Sequence, residues 1–240
     1  MGSEMCIRDR ENVITDISFK AEKGETVAII GSTGSGKSTL INLIPRYYDV
    51  TKGSVKVDGV DVRDMTQKEL RDKLGYVPQK GVLFSGTIDS NIRYGKPEIT
   101  DAQVKEAAEV AQATEFIDTK PEKYESPVSQ GGTNVSGGQK QRLSIARAIA
   151  KDPEIFIFDD SFSALDFKTD SQLRKALKEY TKDATTVIVA QRISTILGAD
   201  QIIVLDDGHM AGIGTHKELM ANCEVYQQIA RSQLSEEELA

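Results

Sequence analysis

The chain reads as an α/β protein with a mostly parallel sheet, an antiparallel β subdomain and a helical subdomain. Three observations predict this. Val27–Ile30 and Ile155–Phe158 are continuous apolar runs of strand length, as expected for strands buried on both faces of a parallel sheet. In the second half such strands alternate with helical stretches: Ile155–Phe158, Ser171–Tyr180, Thr186–Ala190 and Gln201–Leu205, the pattern of a sheet covered by helices on both faces. Between about residues 85 and 150 that alternation gives way to helical periodicity, which predicts a separate helical subdomain.

Taken in order, Met1–Arg10 (MGSEMCIRDR) shares neither pattern nor composition with the rest of the chain. It is read as a leader foreign to the domain and left out of the fold, which then spans residues 11–240. Glu11–Ala21 alternates loosely, with Ile17, Phe19 and Ala21 on one side, as a half-buried strand does. After the turn at Lys23-Gly24, the buried run Val27–Ile30 leads into a glycine-rich loop and a helix from near Lys37. Ser54–Val57 alternates again and ends in Asp58-Gly59, a two-residue hairpin signal. From Thr87 to Thr119 the pattern is helical. Thr100-x-x-Gln103 is a capping box opening an Ala-rich helix Asp101–Ala113, and Ser136-x-x-Gln139 opens another that runs through Ile149. Asp207-Gly208 predicts a second hairpin, and Thr215-x-x-Glu218 caps a short final helix.

Composition sets the outer limits. With 240 residues, 39% hydrophobic and 28% charged, the chain is long enough for one or two globular domains at about 150 residues each. Thirty Lys+Arg against 37 Asp+Glu leave a net charge of −7, which argues against a nucleic-acid partner. No apolar run reaches the ~18–20 residues that cross a bilayer, and the start of the chain has no secretory signal. Neither a membrane-spanning nor a secreted chain is expected, though a piece of a membrane machine remains open. Cys6 and Cys223, far apart, read as reduced thiols.

The chemistry begins at Gly31-Ser32-Thr33-Gly34-Ser35-Gly36-Lys37-Ser38, which fits G-x-x-x-x-G-K-[ST] between a buried strand and a helix. Glycines let successive backbone N–H groups turn inward toward phosphate oxygens. Lys37 places a point charge for the β- and γ-phosphates, and the Ser38 hydroxyl suits Mg²⁺. A merely tight turn would leave Lys-Ser at that offset unexplained. The core is therefore that of a P-loop NTPase. Asp159 ends an apolar strand and suits a Mg²⁺ role. Val135-Ser136-Gly137-Gly138-Gln139 is a capped helix start with two glycines, a second anion site of backbone amides. One chain with two such sites suggests that the second caps the γ-phosphate held by a partner.

With these motifs in place, residues 11–235 resemble the nucleotide-binding domain of an ATP-binding cassette (ABC) transporter, most closely of the exporter type. The motifs carrying the resemblance are the P-loop, Gln79 in Tyr76-Val77-Pro78-Gln79, the signature at 135–139, Asp159, and Ser163-Ala164-Leu165-Asp166, which resembles the D-loop. Leu83-Phe84-Ser85-Gly86-Thr87-Ile88 with Asn91-Ile92 resembles the stretch that meets the coupling helices of the transmembrane domains. The resemblance implies ATP and Mg²⁺ as cofactors. It assigns ATP contacts to Ser32, Thr33, Gly34, Ser35, Gly36, Lys37, Ser38 and Thr39 and, across a head-to-tail dimer, to Ser136, Gly137, Gly138 and Gln139. It assigns the metal to Ser38, Gln79 and Asp159, and the hydrolytic roles to Lys37, Asp160 and Gln191.

Two departures qualify it. The family usually has Glu after the strand-end Asp, where this chain has Asp160, one methylene shorter; misplacing a catalytic group by ~1 Å can cost roughly 10²-fold. It usually has His in the switch loop, where this chain has Gln191, which cannot carry a positive charge at neutral pH. Both fall on the hydrolytic pair while the signature stays intact. The expectation is one half of a heterodimeric exporter, slow at its own site and completing its partner's. Gln130, in Ser129-Gln130-Gly131-Gly132, replaces a glutamate and loses only charge. The adenine-stacking aromatic of the family belongs upstream of about residue 11 and is missing there, so weaker adenine binding is expected.

His209 and His216 carry no metal expectation without a ligand cluster, Tyr47-Tyr48 reads as packing or membrane-domain contact, and Glu236–Glu238 as a solvated end. The rival readings are a non-transport cassette, which lacks a coiled coil or second cassette here, a P-loop kinase, which leaves the signature unexplained, and a regulatory cassette that binds ATP without turning it over.

Overall fold

The computed structural model describes residues 2–6 and 12–235, with the backbone alone for 2–6 and 12. The chain forms two compact units: one from residues up to Leu74 together with those from Thr185 onward, the other from Gly75–Ala184.

In the first unit, β1 (Gly2–Cys6), β2 (Asn12–Ser18) and β4 (Lys52–Ser54) make an antiparallel sheet in the order β2-β1-β4. The residues left out of the expected fold thus supply its middle strand. The register from Ser3↔Ile17 to Met5↔Ile14 advances two residues on β1 against three on β2. The extra residue is a bulge marked by Asp16 at φ 53°, and it turns both Ile14 and Ile17 fully inward. This breaks the simple alternation expected for the strand. β3 (Thr26–Gly31) follows, buried over its four central residues, and then α1 (Lys37–Asn42). The stretch expected as one strand at Ser54–Val57 is divided between β4 and β5 (Lys56–Val57), which pairs with β6 (Val60–Asp61) around Asp58-Gly59 at φ 51° and 80°, the conformation of a type I′ hairpin. Helix α2 (Gln67–Asp72) closes this segment.

The second unit runs from β7 (Leu74–Val77) through β8 (Gly86–Thr87), α3 (Ile88–Ile92), α4 (Asp101–Val110), α5 (Thr114–Asp118), β9 (Pro127–Val128), α6 (Gly137–Ala150), β10 (Ile155–Asp159) and α7 (Phe167–Tyr180). β10 lies beside β7. Gly75 permits this packing, since a Cβ there would stand 2.6 Å from Pro153 Cγ. The capping boxes at Thr100 and Ser136 are both formed. α7 begins earlier than its periodicity suggests, because Asp166 accepts from the Thr169 N–H at 3.0 Å and starts the helix there.

The chain then returns to the first unit with β11 (Thr185–Val189), α8 (Ile193–Ile196), β12 (Gln201–Asp206), β13 (His209–Gly214), α9 (His216–Asn222) and α10 (Glu224–Gln233). β11 and β12 flank β3 in parallel and β13 closes the edge antiparallel, giving β13-β12-β3-β11. Asp207-Gly208 forms the expected hairpin at φ 43° and 79°. The capped helix at Thr215 is not the last: Cys223 is extended for one residue and α10 follows. Among the described residues no helix is long and apolar enough to cross a membrane.

Candidate functional site

The glycine-rich loop Gly31–Ser38 lies between β3 and α1. Gly34 and Gly36 hold φ of 86° and 94°, conformations that glycine adopts without strain. Gly31 and Gly36 also have no room for a side chain: a Cβ would stand 2.1 Å from Leu205 O at the first and 2.4 Å from Ile14 Cγ2 at the second. Ser35 is buried, its N–H donating to Ser32 O at 3.2 Å, while Ser32, Thr33 and Gly34 are exposed. Lys37 Nζ folds back over the loop and donates to Gly31 O at 2.8 Å and Ser32 O at 2.7 Å. A lysine ammonium held over a glycine-rich loop at the start of a helix suits a polyphosphate, so these residues fit a nucleotide phosphate chain. Ser38 and Thr39 follow in the first turn of α1. Gln191, in the same unit, lies in the exposed segment between β11 and α8.

The second unit gathers Gln79, Asp159 and Asp160. Asp159 ends β10 and Asp160 follows it, both buried, and Asp160 sits at φ 46°. Tyr76 Oη donates to Asp159 Oδ2 at 3.4 Å, and Gln79 Nε2 donates to Asp160 Oδ2 at 3.0 Å. Ser161 Oγ donates to Val77 O at 2.8 Å, tying the turn to β7. Hard oxygen donors of this kind suit Mg²⁺, which binds through one or two carboxylates plus substrate phosphates rather than in a dedicated cage. Among the described residues there is no group of three or more His, Cys, Asp or Glu that could hold a metal ion. His209 instead meets Thr15 Oγ1 and His216 meets Tyr226 Oη.

In the signature, the Ser136 hydroxyl accepts from Gln139 N–H at 3.2 Å and Gln139 Oε1 accepts from Ser136 N–H at 3.1 Å. Both polar side chains are thereby used in the cap. A Cβ on Gly137 would meet nothing within 4 Å, and one on Gly138 only ordinary contacts.

Two residues that the motifs did not single out, Gln141 and Arg147, shape these loops together with Asn91. Buried Gln141 accepts from Gly81 N–H at 2.8 Å and donates to Pro78 O at 3.0 Å, so it brackets the loop bearing Gln79. Asn91, also buried, brackets Phe84 through both its N–H and its carbonyl. Arg147 donates to Asn91 O, Val82 O and Asn91 Oδ1 at 2.8–2.9 Å and lies over the rings of Phe84 and Tyr94. Burial pulls its guanidinium down to about 10. The available signal was a polar residue interrupting an apolar helical stripe: Gln141 shares its face with Ser144, Ile145 and Ala148.

A family model for ABC transporters matches residues 14–163. The chain belongs to the ABC transporter family. It is 50% identical over 224 residues to an uncharacterised ABC transporter ATP-binding protein of Mycobacterium tuberculosis, covering 92% of this chain and 38% of that protein. It is 49% identical over 213 residues to a candidate multidrug export ATP-binding/permease protein of Bacillus subtilis, covering 89% of this chain and 37% of that one. The structure of a bacterial Atm1-family ABC exporter with ATP bound superposes with a TM-score of 0.94 at 37% identity, over 98% of this chain and 41% of that one. The chain thus spans well under half the length of these relatives. As an ABC nucleotide-binding domain it is of a class that binds ATP, and the family assignment accounts for the glycine-rich loop and the α/β architecture together. Residues 7–11 and the side chains of 2–6, where the family's adenine platform would belong, lie outside what the structure describes, as do Glu236–Glu238.

Proposed function

We propose that the chain is the ATP-binding and ATP-hydrolysing motor domain of an ABC exporter, working at the cytoplasmic face of the membrane. The observation that carries this is the Gly31–Ser38 loop, where Lys37 Nζ is seated on the carbonyls of Gly31 and Ser32. In this reading Ser32 to Thr39 cradle the phosphates, and Ser38, Gln79 and Asp159 supply oxygens to Mg²⁺. Bound Mg²⁺ would neutralise charge on the β- and γ-phosphates. Asp160 orients the attacking water, and Gln191 hydrogen-bonds the γ-phosphate. The printed name of the Bacillus subtilis relative joins ATP-binding and permease functions, which favours a transporter setting.

Within that reading the chain is the half of a heterodimer whose own site turns over slowly and whose signature completes the partner's site. Asp160 and Gln191 support the first part. The second is supported by Gly137, whose missing side chain the chain's own packing does not demand; a nucleotide held by a second, head-to-tail cassette would demand it. The Phe84 and Tyr94 rings, stacked at 4.1 Å and 40% and 55% exposed, support docking of a coupling helix of the transmembrane domains.

Single-turnover hydrolysis tests both parts. Alone, the protein should bind ATP and cleave it slowly. Mixed with a cassette carrying Glu and His at the two altered positions, hydrolysis should rise at the partner's site and depend on this chain's signature. Turnover of tens per second by this chain alone would overturn the slow-site assignment. A second reading, a regulatory cassette with negligible hydrolysis, draws on the Gln79–Asp160 hydrogen bond that engages the hydrolytic carboxylate. It predicts ATP binding with no rate enhancement from any partner.

A further inference from the structure

Gln233, the last residue of the unanticipated helix α10, uses both ends of its amide on the segment after β11. Its Nε2 donates to Gln191 O at 2.8 Å, and its Oε1 accepts from Ile193 N–H at 2.8 Å. Ile193 opens α8, and α8 has no side-chain cap of its own: its N-cap residue is Arg192, which makes no capping hydrogen bond. The first amides of a helix have no partner within it, so here a side chain forty positions downstream supplies one. The same amide fixes the carbonyl of the residue before Arg192.

The bracket is held from behind. Tyr226, Ala230 and Gln233 recur at i, i+4 and i+7, one face of the helix. Tyr226 and Ala230 are fully buried in a cluster that includes Ile193, Ile196 and Leu219. Tyr226 Oη also lies 2.8 Å from His216 Nδ1 on α9. Gln233 is exposed, but it is the polar end of the core-facing stripe, delivered by two anchored turns.

We infer that Gln233 is a positioning residue for the switch segment: it sets the backbone on which the Gln191 side chain is presented, and so couples the C-terminal helix to ATP turnover. This rests on the proposed role of Gln191 at the γ-phosphate. The inference for the rate is that loosening the bracket displaces that side chain by the ångström or so that costs up to about 10²-fold, while leaving the Lys37 loop and ATP affinity alone.

The test uses Gln233→Ala and Gln233→Glu in the full-length ATPase. Gln233→Glu can still accept from Ile193 N–H but cannot donate to Gln191 O. Amide exchange of the peptide spanning residues 190–193 reads the bracket directly and needs no activity. The expected results are faster exchange in Gln233→Ala, a single-turnover rate down about tenfold or more with the ATP dissociation constant within about twofold, and an intermediate rate for Gln233→Glu. Adding Gln233→Ala to Gln191→Ala should slow hydrolysis no further. Unchanged exchange in Gln233→Ala would overturn the bracket. Rate losses that add in the double variant, or that vanish on cooling in step with the melting temperature, would reduce Gln233 to a structural role. If Gln191→Ala alone leaves hydrolysis untouched while exchange still responds to Gln233→Ala, the bracket stands, the role of Gln191 at the phosphate falls, and the coupling to turnover falls with it.

Discussion

Asp160 occupies the left-handed region at φ 46°, where Asp and Asn are several-fold enriched among non-glycine residues. Its backbone therefore favours the shorter side chain, while water activation favours the longer one that the family usually has. Asp160→Glu should raise the single-turnover rate by up to about 10²-fold and cost about 1 kcal/mol or less in stability. A lower melting temperature with no gain in rate would remove Asp160 from the role of general base. The sequence showed this position because Asp159-Asp160 directly follows an apolar strand. It could not show that Gln79 Nε2 would sit on the Asp160 carboxylate, since that contact joins residues 81 positions apart. Gln141 and Gln233 escaped notice for the same reason: the carbonyl and amide that each holds lie far from it in the chain.

Helix termini were the most legible elements. The boxes at Thr100, Ser136 and Thr215 are written within four residues and are all formed. At Ser136 the consequence can be measured. Ser136→Ala removes the acceptor for Gln139 N–H and should cost about 1 kcal/mol, whereas Ser136→Gly should cost only a few tenths; urea denaturation separates the two. If Ser136 serves the partner's site as well, both variants should slow a mixed dimer alike despite their different stabilities. α10 was illegible at its start because Cys223 offers no cap signal, and no side-chain hydrogen bond caps it there. What makes it a helix is burial of Tyr226 and Ala230, which periodicity shows only once the break at Cys223 is known. The bulge at Asp16 was hidden likewise, since an alternating pattern with one extra residue reads as noise.

Each unit of the molecule carries one tyrosine whose phenol burial raises to about 12: Tyr226 in the first and Tyr180 in the second. An unfolded tyrosine ionises near 10, so the folded chain holds these protons more tightly between the two values. Stability from this source is complete below about pH 10 and is lost as pH rises toward 12. Tyr226→Phe should lose about 1 kcal/mol at neutral pH with the His216 hydrogen bond. Between pH 10 and 12 its melting temperature should then fall less steeply than that of the parent. An unchanged alkaline slope would show that Tyr226 already ionises freely in the fold. The α/β alternation made the class of the molecule readable, but not the discontinuity of its first unit, because pairing partners of β3 are not announced by β3 itself. That discontinuity has a consequence for the order of synthesis. The second unit is one continuous stretch and is complete when Ala184 leaves the ribosome. β3, which carries the phosphate loop, must wait for Thr186 and Gln201 to reach Thr26 and Val27. At about 5–20 residues per second that is a delay of roughly 8–35 seconds. Until Thr186 emerges β3 has neither parallel sheet neighbour, and the second neighbour follows Ala184 by 17 residues, about 1–3 seconds at that rate, so the second unit can close before the strand bearing the loop is fully paired.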